Sequence, residues 1–436
     1  MLEDTIIALA TPPGKSGVAI VRISGDKSLS ILKAITKCND DFLPRFMYLK
    51  DIYLGNIVDN ALVVYFKAPN SYTGEDIAEI QCHGGYFIAQ QVITQCQKLG
   101  ARMAEPGEYS KRAFLNGKMS FDQAEGIIDI INSESEAQAK AGSALAQGKL
   151  LQIISELQTE LTDILAEIEA KLDYPEYEYT DTENEQVLNR LKQIKEKLNE
   201  LLSTKISGLK IKNGVKVAII GAPNAGKSSL LNALTNSDKS IVTDIAGTTR
   251  DIVEAEYIYN GIVFRLFDTA GIRESSDKVE QIGIDRAKQS INDADLVLKL
   301  IDISNPQDVE IVDKPTITVY NKIDLSTQNA QDVDNSIYIS AKDNINIEKL
   351  KELIFDKTMT QGYNTSQFYL SNARHIECVT SAEQALTNAI NTFTTTSLDF
   401  VVADIHACWD NLGEVSGVSS NERIIDRIFE KFCLGK

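Results

Sequence analysis

The chain has 436 residues, 43% of them hydrophobic, and a formal net charge of −18. Such a length predicts roughly two or three domains with ample core, and the charge excludes non-specific nucleic-acid binding by the whole surface. Six scattered cysteines form no C-x-x-C, and none makes a zinc spacing with His83, His375 or His406, so neither a disulfide scaffold nor a zinc centre is expected.

Residues 1–118 read as mixed α/β. Gly17–Ile23 and Asn60–Phe66 are strand-like, and Gly84–Leu99 reads as a glycine-started helix. This region holds 13 Lys/Arg against 12 Asp/Glu. All the excess acidity therefore lies beyond it, and it is the better face for a polyanion. The amino terminus carries Glu3 and Asp4 and only a short apolar run, which is not a signal peptide. No stretch approaches the roughly 18 uninterrupted apolar residues of a membrane helix, so no transmembrane helix is expected, and the absence of a disulfide framework makes the reducing cytoplasm the expected compartment. From about 119 the pattern turns helical. Ile153, Ile154, Leu157, Leu161, Ile164, Leu165, Ile168 and Leu172 form an apolar stripe at three- and four-residue spacing. Asp173–Glu185, with Pro175, six acids and no bases, reads as an exposed loop. The stripe resumes from Val187 to Leu202, and Ser203–Gly208 reads as a linker. Beyond about 360 the chain is helical again, ending in Ile424, Ile425, Ile428, Phe429 and Phe432. The predicted fold is multidomain α/β plus all-α. An N-terminal α/β domain (1–118) precedes a helical domain (119–212 and 359–436) interrupted by a further α/β domain (213–358).

The middle of the chain carries the chemistry. Gly221-Ala-Pro-Asn-Ala-Gly-Lys-Ser228 matches G-x-x-x-x-G-K-[ST] at every fixed position. The apolar run Val215–Ile220 precedes it and helix-forming residues follow, which is the strand–loop–helix context a phosphate loop requires. Asn224, Ala225, Gly226, Lys227, Ser228 and Ser229 would wrap the phosphates. Lys227 would reach the β and γ phosphates, and the Ser228 hydroxyl would ligate Mg²⁺. In the stretch Thr243, Asp244, Ile245, Ala246, Gly247, Thr248 and Thr249, a threonine can close over the γ phosphate and add a second Mg²⁺ oxygen. Thr249 is preferred to Thr248. Asp268, Thr269, Ala270 and Gly271 end the apolar run Val263–Phe267. Asn321, Lys322 and Asp324 follow the strand-like Thr316–Tyr320, and the Asp324 carboxylate can accept from both guanine N1–H and its exocyclic amine. Ser340, Ala341 and Lys342 resemble the loop that supports the base. Four such motifs in order, each after a strand, resemble the GTPase superfamily, so the inserted domain (213–358) reads as a Ras-like P-loop GTPase domain.

Ile272 stands where many GTPases carry a water-orienting glutamine. Arg273, Glu280 and Arg250 are the candidates to replace it. Transition-state charge could be met by Arg250 or Arg273 in cis, or by a monovalent cation for which the Asn224 side-chain oxygen is a ligand.

The flanks carry a further resemblance. Thr11-Pro-Pro-Gly14, Val21-Arg-Ile-Ser-Gly25, Ser71-Tyr-Thr-Gly-Glu-Asp76, Gln81-Cys-His-Gly-Gly85, Pro106–Lys118 and the terminal Phe432-Cys-Leu-Gly-Lys436 resemble the MnmE (TrmE) tRNA modification GTPases. Cys82 stands where that family usually has glycine, and Lys342 after Ser-Ala is a second departure. The resemblance implies a folate-binding N-terminal domain, a homodimer formed through it, and a heterotetramer with the FAD- and NADH-using protein MnmG. It implies a carboxymethylaminomethyl or aminomethyl group installed at C5 of the wobble uridine, position 34, of certain tRNAs. The folate residues it implies are Arg22, Glu79, Lys118 and Lys436, which would bind 5-formyltetrahydrofolate, with 5,10-methylenetetrahydrofolate as donor. The implied K⁺ ligands are Asn224, the carbonyls of Thr243 and Ile245, and Thr248. The implied water-organising residue is Glu280, acting through a bridging water. Cys433 reads as a buried helix-end cysteine rather than a nucleophile. Two rivals share these motifs: a switch-type GTPase in ribosome or RNA assembly, and a folate-dependent methyltransferase with a regulatory GTPase.

Overall fold

Alternation of apolar residues builds the first sheet of the computed structural model. It describes residues 4–173, 181–235, 255–268, 292–307, 314–325, 335–359, 368–395, 397–417, 429 and 435. The chain divides into two units, one of Met1–Ile128, Leu145–Gln158 and Asp410–Lys436, the other of Asp129–Ala144 and Thr159–Trp409.

In the first unit, β1 (Thr5–Leu9), β2 (Val18–Ser24), β3 (Met47–Leu54), β4 (Ile57–Phe66), β5 (Ile77–His83) and β6 (Ala101–Met103) form a sheet in the order β3-β4-β5-β2-β1-β6. Pairing is antiparallel except between β1 and β6. Successive side chains point to opposite faces. Val21, Ile23, Ile52, Val63 and Ile80 therefore share one face, packed on Ile31, Leu32 and Ile35 of α1 (Ser28–Thr36) and on Val92, Ile93 and Cys96 of α2 (Tyr86–Lys98). The other face carries Arg22 and Glu79 in register, and its β3–β4 end leaves Met47, Leu49, Val58 and Leu62 exposed. Over β1 that face is covered by Tyr109 of α3 (Glu108–Leu115).

An ion network fixes α3. Arg112, 1% exposed, donates from Nη2 to Asp4 (2.7 Å) and Glu108 (2.8 Å), and from Nη1 to Glu75 (3.2 Å). Burial acts to raise the Glu108 carboxyl, but hydrogen bonds from Arg102, the Glu105 backbone and Arg112 hold it below its ordinary value. Phe121, at the start of α4 (Phe121–Ile131), meets Phe429 edge to face at 5.7 Å, so this part of the carboxyl-terminal segment packs within the first unit.

The second unit contains the other sheet. Strands β7 (Val215–Gly221), β8 (Ala255–Tyr259), β9 (Ile262–Asp268), β10 (Leu296–Asp302), β11 (Thr316–Asn321) and β12 (Ser336–Tyr338) take the order β12-β11-β10-β7-β9-β8. All pairs are parallel except β8–β9. The chain reverses direction of winding at β7, between β10 and β9, and ligands of such sheets bind outside the carboxyl ends of the strands at that switch point.

Helices α5 (Glu136–Ala146), α6 (Lys149–Asp173), α7 (Asp181–Ser203) and α8 (Lys205–Asn213) precede this sheet. The helical stripe is confirmed, with Leu161, Ile164, Leu165 and Ile168 of α6 buried, and the helix Ala373–Thr392 packs on α7. Two expectations are corrected. Asp181–Glu185 belong to α7 rather than to a loop, because acids are favoured in the first turn of a helix. Residues 174–180 lie outside the described residues. Ser203–Gly208 is no linker: α8 begins at Lys205, and a Cβ on Gly208 would lie 2.0 Å from the Leu370 carbonyl oxygen, so that close backbone approach requires glycine. Residues 129–144, read as part of the helical region, are tied into the nucleotide-binding part of their unit. Lys212 pairs with Asp129 at 2.9 Å, Arg265 of β9 pairs with Glu134 at 2.6 Å, and Ala137 and Ala141 pack on the sheet's core. Among the described residues no helix is long and apolar enough to cross a membrane.

Candidate functional site

At the carboxyl end of β7 the chain turns into α9 (Lys227–Thr235) through the loop 222–226. Asn224 (φ +61°) and Gly226 (φ +97°) take left-handed backbone, which curls successive N–H groups into an anion-binding concavity. A Cβ at Gly226 would sit 2.3 Å from Asn321 Nδ2, so this glycine serves a close approach as well as a turn. Lys227 Nζ donates to the Gly221 carbonyl at 2.9 Å and to the Ala222 carbonyl at 3.3 Å, which keeps its charge over the loop. Ser228 and Ser229 are exposed at the helix start, where the helix field favours phosphate.

Asn321, 3% exposed, joins the phosphate loop to the loop 340–342. Its Nδ2 donates to Ala225 O at 2.9 Å, and its Oδ1 accepts from Ala341 N at 3.0 Å. Ser340 Oγ donates to Asp324 Oδ1 at 2.7 Å, which orients an exposed carboxylate. Lys322, with φ +72°, donates from Nζ to Asp302 Oδ2 at 2.6 Å. Asp302 and Ser304 were not singled out from the sequence. Their available signal was an acid at the carboxyl end of the apolar run Leu296–Ile301, where ligands of parallel sheets gather. Partial burial acts to raise the Asp302 carboxyl, but hydrogen bonds from Lys322 and Ser304 hold it below its ordinary value.

Asp268 ends β9 in register with Ile219 of β7, beside the strand that feeds the phosphate loop. Thr243, Asp244, Ile245, Ala246, Gly247, Thr248, Thr249, Thr269, Ala270, Gly271 and Glu280 lie outside the described residues. The described part thus gathers a phosphate loop, a carboxylate with two acceptor oxygens and the loop that orients it. That arrangement accommodates a triphosphate at one end and a purine with two adjacent donors at the other.

The first unit holds a second cluster. Arg22 Nε donates to Glu79 Oε1 at 2.8 Å, and both side chains are largely buried. The guanidinium lies 5.7 Å from the Tyr72 ring centroid and 5.8 Å from that of Tyr109, whose hydroxyl donates to Arg22 O. Arg22 Nη1 also reaches the Gly435 carbonyl at 3.4 Å, next to the terminal Lys436, itself outside the described residues. The Lys118 stem lies against Gly74, in the loop that also carries Tyr72. Arg22 and Glu79 are thus brought together, and the loop 72–75 links them to Lys118. Cys433 lies outside the described residues.

The family model of the MnmE helical domain matches residues 121–433, and that of the GTP-binding protein TrmE N-terminus matches residues 5–118. A tRNA modification GTPase MnmE of Thermotoga maritima is 40% identical over 99% of this chain and 100% of its own length. MnmE proteins of Lactiplantibacillus plantarum and Levilactobacillus brevis are each 37% identical, over 99% of this chain and 98% of theirs. The chain belongs to the MnmE/TrmE family. It is a GTPase, and its likeness to the MnmE proteins extends through both units.

Proposed function

We propose that this MnmE-family GTPase couples GTP hydrolysis to modification of C5 of the wobble uridine, position 34, of tRNA, using a one-carbon tetrahydrofolate. The observation that carries this is the pairing in one chain of two chemically distinct sites. One is a guanine-nucleotide site in the second unit, and the other is the Arg22–Glu79 cluster in the first.

At the nucleotide site, Lys227 neutralises the β and γ phosphates, Ser228 and Thr249 are the Mg²⁺ ligands, and Asp324 reads guanine. Asp268 and Gly271 flank the γ phosphate. A hard monovalent cation suits the donor set of Asn224 Oδ1, the Thr243 and Ile245 carbonyls and the Thr248 hydroxyl, since all four are neutral oxygens. Asn224 is exposed on a left-handed turn of the phosphate loop, which fits that role. Bound there, K⁺ supplies the positive charge that an arginine finger supplies elsewhere. Glu280 orients the attacking water through a bridging water, because Ile272 has no hydrogen-bonding group.

At the folate site, Glu79 uses the carboxylate oxygen not engaged by Arg22 for the 2-amino edge of the pterin. Arg22, Lys118 and Lys436 meet the anionic tail or a formyl oxygen. The exposed Met47, Leu49, Val58 and Leu62 on the same sheet face support a homodimer formed through the N-terminal domains. The reading assigns residues 1–118 to the folate domain, 119–212 and 359–436 to the helical domain and 213–358 to the GTPase. The partner is an MnmG-type FAD protein in a cytoplasmic heterotetramer.

Calorimetric titration with 5-formyltetrahydrofolate tests the folate site. Losing one charge-assisted hydrogen bond costs about 1.5–3 kcal/mol, so Arg22→Ala should weaken binding by roughly 10- to 100-fold. GTP affinity should be unchanged. Equal folate affinity in the two proteins would remove Arg22 from the site.

A further inference from the structure

We infer that Asp302 is a positioning residue of the guanine site, which sets Lys322 as the platform under the base. Both carboxylate oxygens of Asp302 are engaged. Oδ1 accepts from the Ser304 backbone N–H at 2.9 Å and from the Ser304 hydroxyl at 2.6 Å, while Oδ2 accepts from Lys322 Nζ at 2.6 Å. The short turn after β10 thus locks the carboxylate before it meets the lysine. Asp302 and Asn321 are partners in the parallel β10–β11 ladder, so Lys322 leaves β11 one residue beyond the level of the carboxylate. Its left-handed backbone, uncommon for a residue with a Cβ, is kept where the surroundings enforce it.

Asn321 is fixed by Ala225 and Ala341, and Asp324 by Ser340. Asp302 does the same for Lys322. The ion pair is partly buried, with side-chain exposures of 13% for Asp302 and 29% for Lys322, so solvent screens it less than a surface pair. It has two effects. It restricts a long flexible side chain to one course, leaving the methylene stem as an apolar surface for a purine ring. It also neutralises a cation beside the base, so that charge does not compete with Lys227 for the phosphates. Asp302 itself touches no nucleotide, and its contribution is made equally in the GTP and GDP states.

This inference rests on reading Asn321–Asp324 as the guanine-binding run. The test is a double-mutant cycle on the full chain, read as Kd for fluorescent GDP and GTP analogues and as KM and kcat for GTP. Asp302→Ala should raise both dissociation constants by the same factor, about tenfold for loss of a charge-assisted pair. KM should rise with them while kcat holds. Lys322→Ala should weaken binding similarly. Adding Asp302→Ala to Lys322→Ala should cost nothing further, which a purely structural role for Asp302 would not produce. If the alanine variant folds poorly, Asp302→Asn keeps an acceptor for the Ser304 contacts but turns an amide N–H toward Lys322 Nζ; it removes the pairing without removing the side chain and should weaken binding to about the alanine level. Full additivity in the cycle, or wild-type affinity in both Asp302 variants, would overturn the inference. If Lys322→Ala left nucleotide affinity untouched, Lys322 would be no platform and the inference would fail, whereas failure of the guanine-run reading would show as GTP affinity undiminished by Asp324→Asn.

Discussion

Asp324→Asn should turn this GTPase from a guanine-reading enzyme into one that prefers xanthosine triphosphate. In the proposed guanine site the Asp324 carboxylate accepts from two adjacent donors, the N1–H and the exocyclic amine. An asparagine at that place offers one acceptor and one donor, and the donor faces the amine. Two charge-assisted hydrogen bonds at about 1.5–3 kcal/mol each put the loss for GTP at roughly 100- to 10,000-fold. Xanthine replaces the amine with a carbonyl oxygen, which matches the asparagine Nδ2. Ser340 Oγ donates to Asp324 Oδ1, and an asparagine oxygen there can accept the same bond, so the side chain should stay oriented. Competition binding of the two triphosphates to both proteins checks this. GTP affinity undiminished by the substitution would place the base elsewhere.

Hydrolysis should be at least about tenfold faster in K⁺ than in Na⁺ at equal ionic strength, and Asn224→Ala should erase the difference. The physical reason is that the developing charge needs a positive partner, and in the proposed site a cation held by Asn224 takes the place of an arginine finger. A preorganised group aimed at such charge is worth on the order of 100- to 1,000-fold, of which the proposed Lys227 and Mg²⁺ would retain part when the cation is lost. A cation of the wrong radius should fit the Asn224 oxygen and its companions poorly. Turnover at saturating GTP across a salt series is the measurement. Equal rates in both salts would mean that an arginine in cis meets the charge.

Local chemistry made much of the nucleotide site legible. The phosphate loop and the Asn321–Asp324 run are each contiguous, and the strands before them are apolar and β-branched. Their partners were hidden for the opposite reason. Asp302 meets Lys322 through the register of β10 on β11, and Tyr72 and Tyr109 reach Arg22 from a distant loop and helix. No spacing rule signals such contacts. Ser203–Gly208 has a linker's composition, yet Thr204 Oγ1 accepts from Leu370 N and Gly208 lies against the Leu370 carbonyl, so tertiary packing overrides propensity. The acids of Asp181–Glu185 masked a helix start because they carry no apolar periodicity. The apolar, β-branched run Gly17–Ile23 did predict a strand around Arg22. Which face α1 and α2 would cover depended on crossovers that a strand's composition does not encode.

Nucleoside profiling of total tRNA by mass spectrometry tests the central claim most directly. Cells lacking this chain should lose the aminomethyl-type substituent at C5 of the wobble uridine. The wild-type chain should restore it, and Arg22→Ala should not, although that variant still binds GTP. An unchanged wobble nucleoside in the deletion strain would contradict the account and favour a switch-type GTPase that transfers no group.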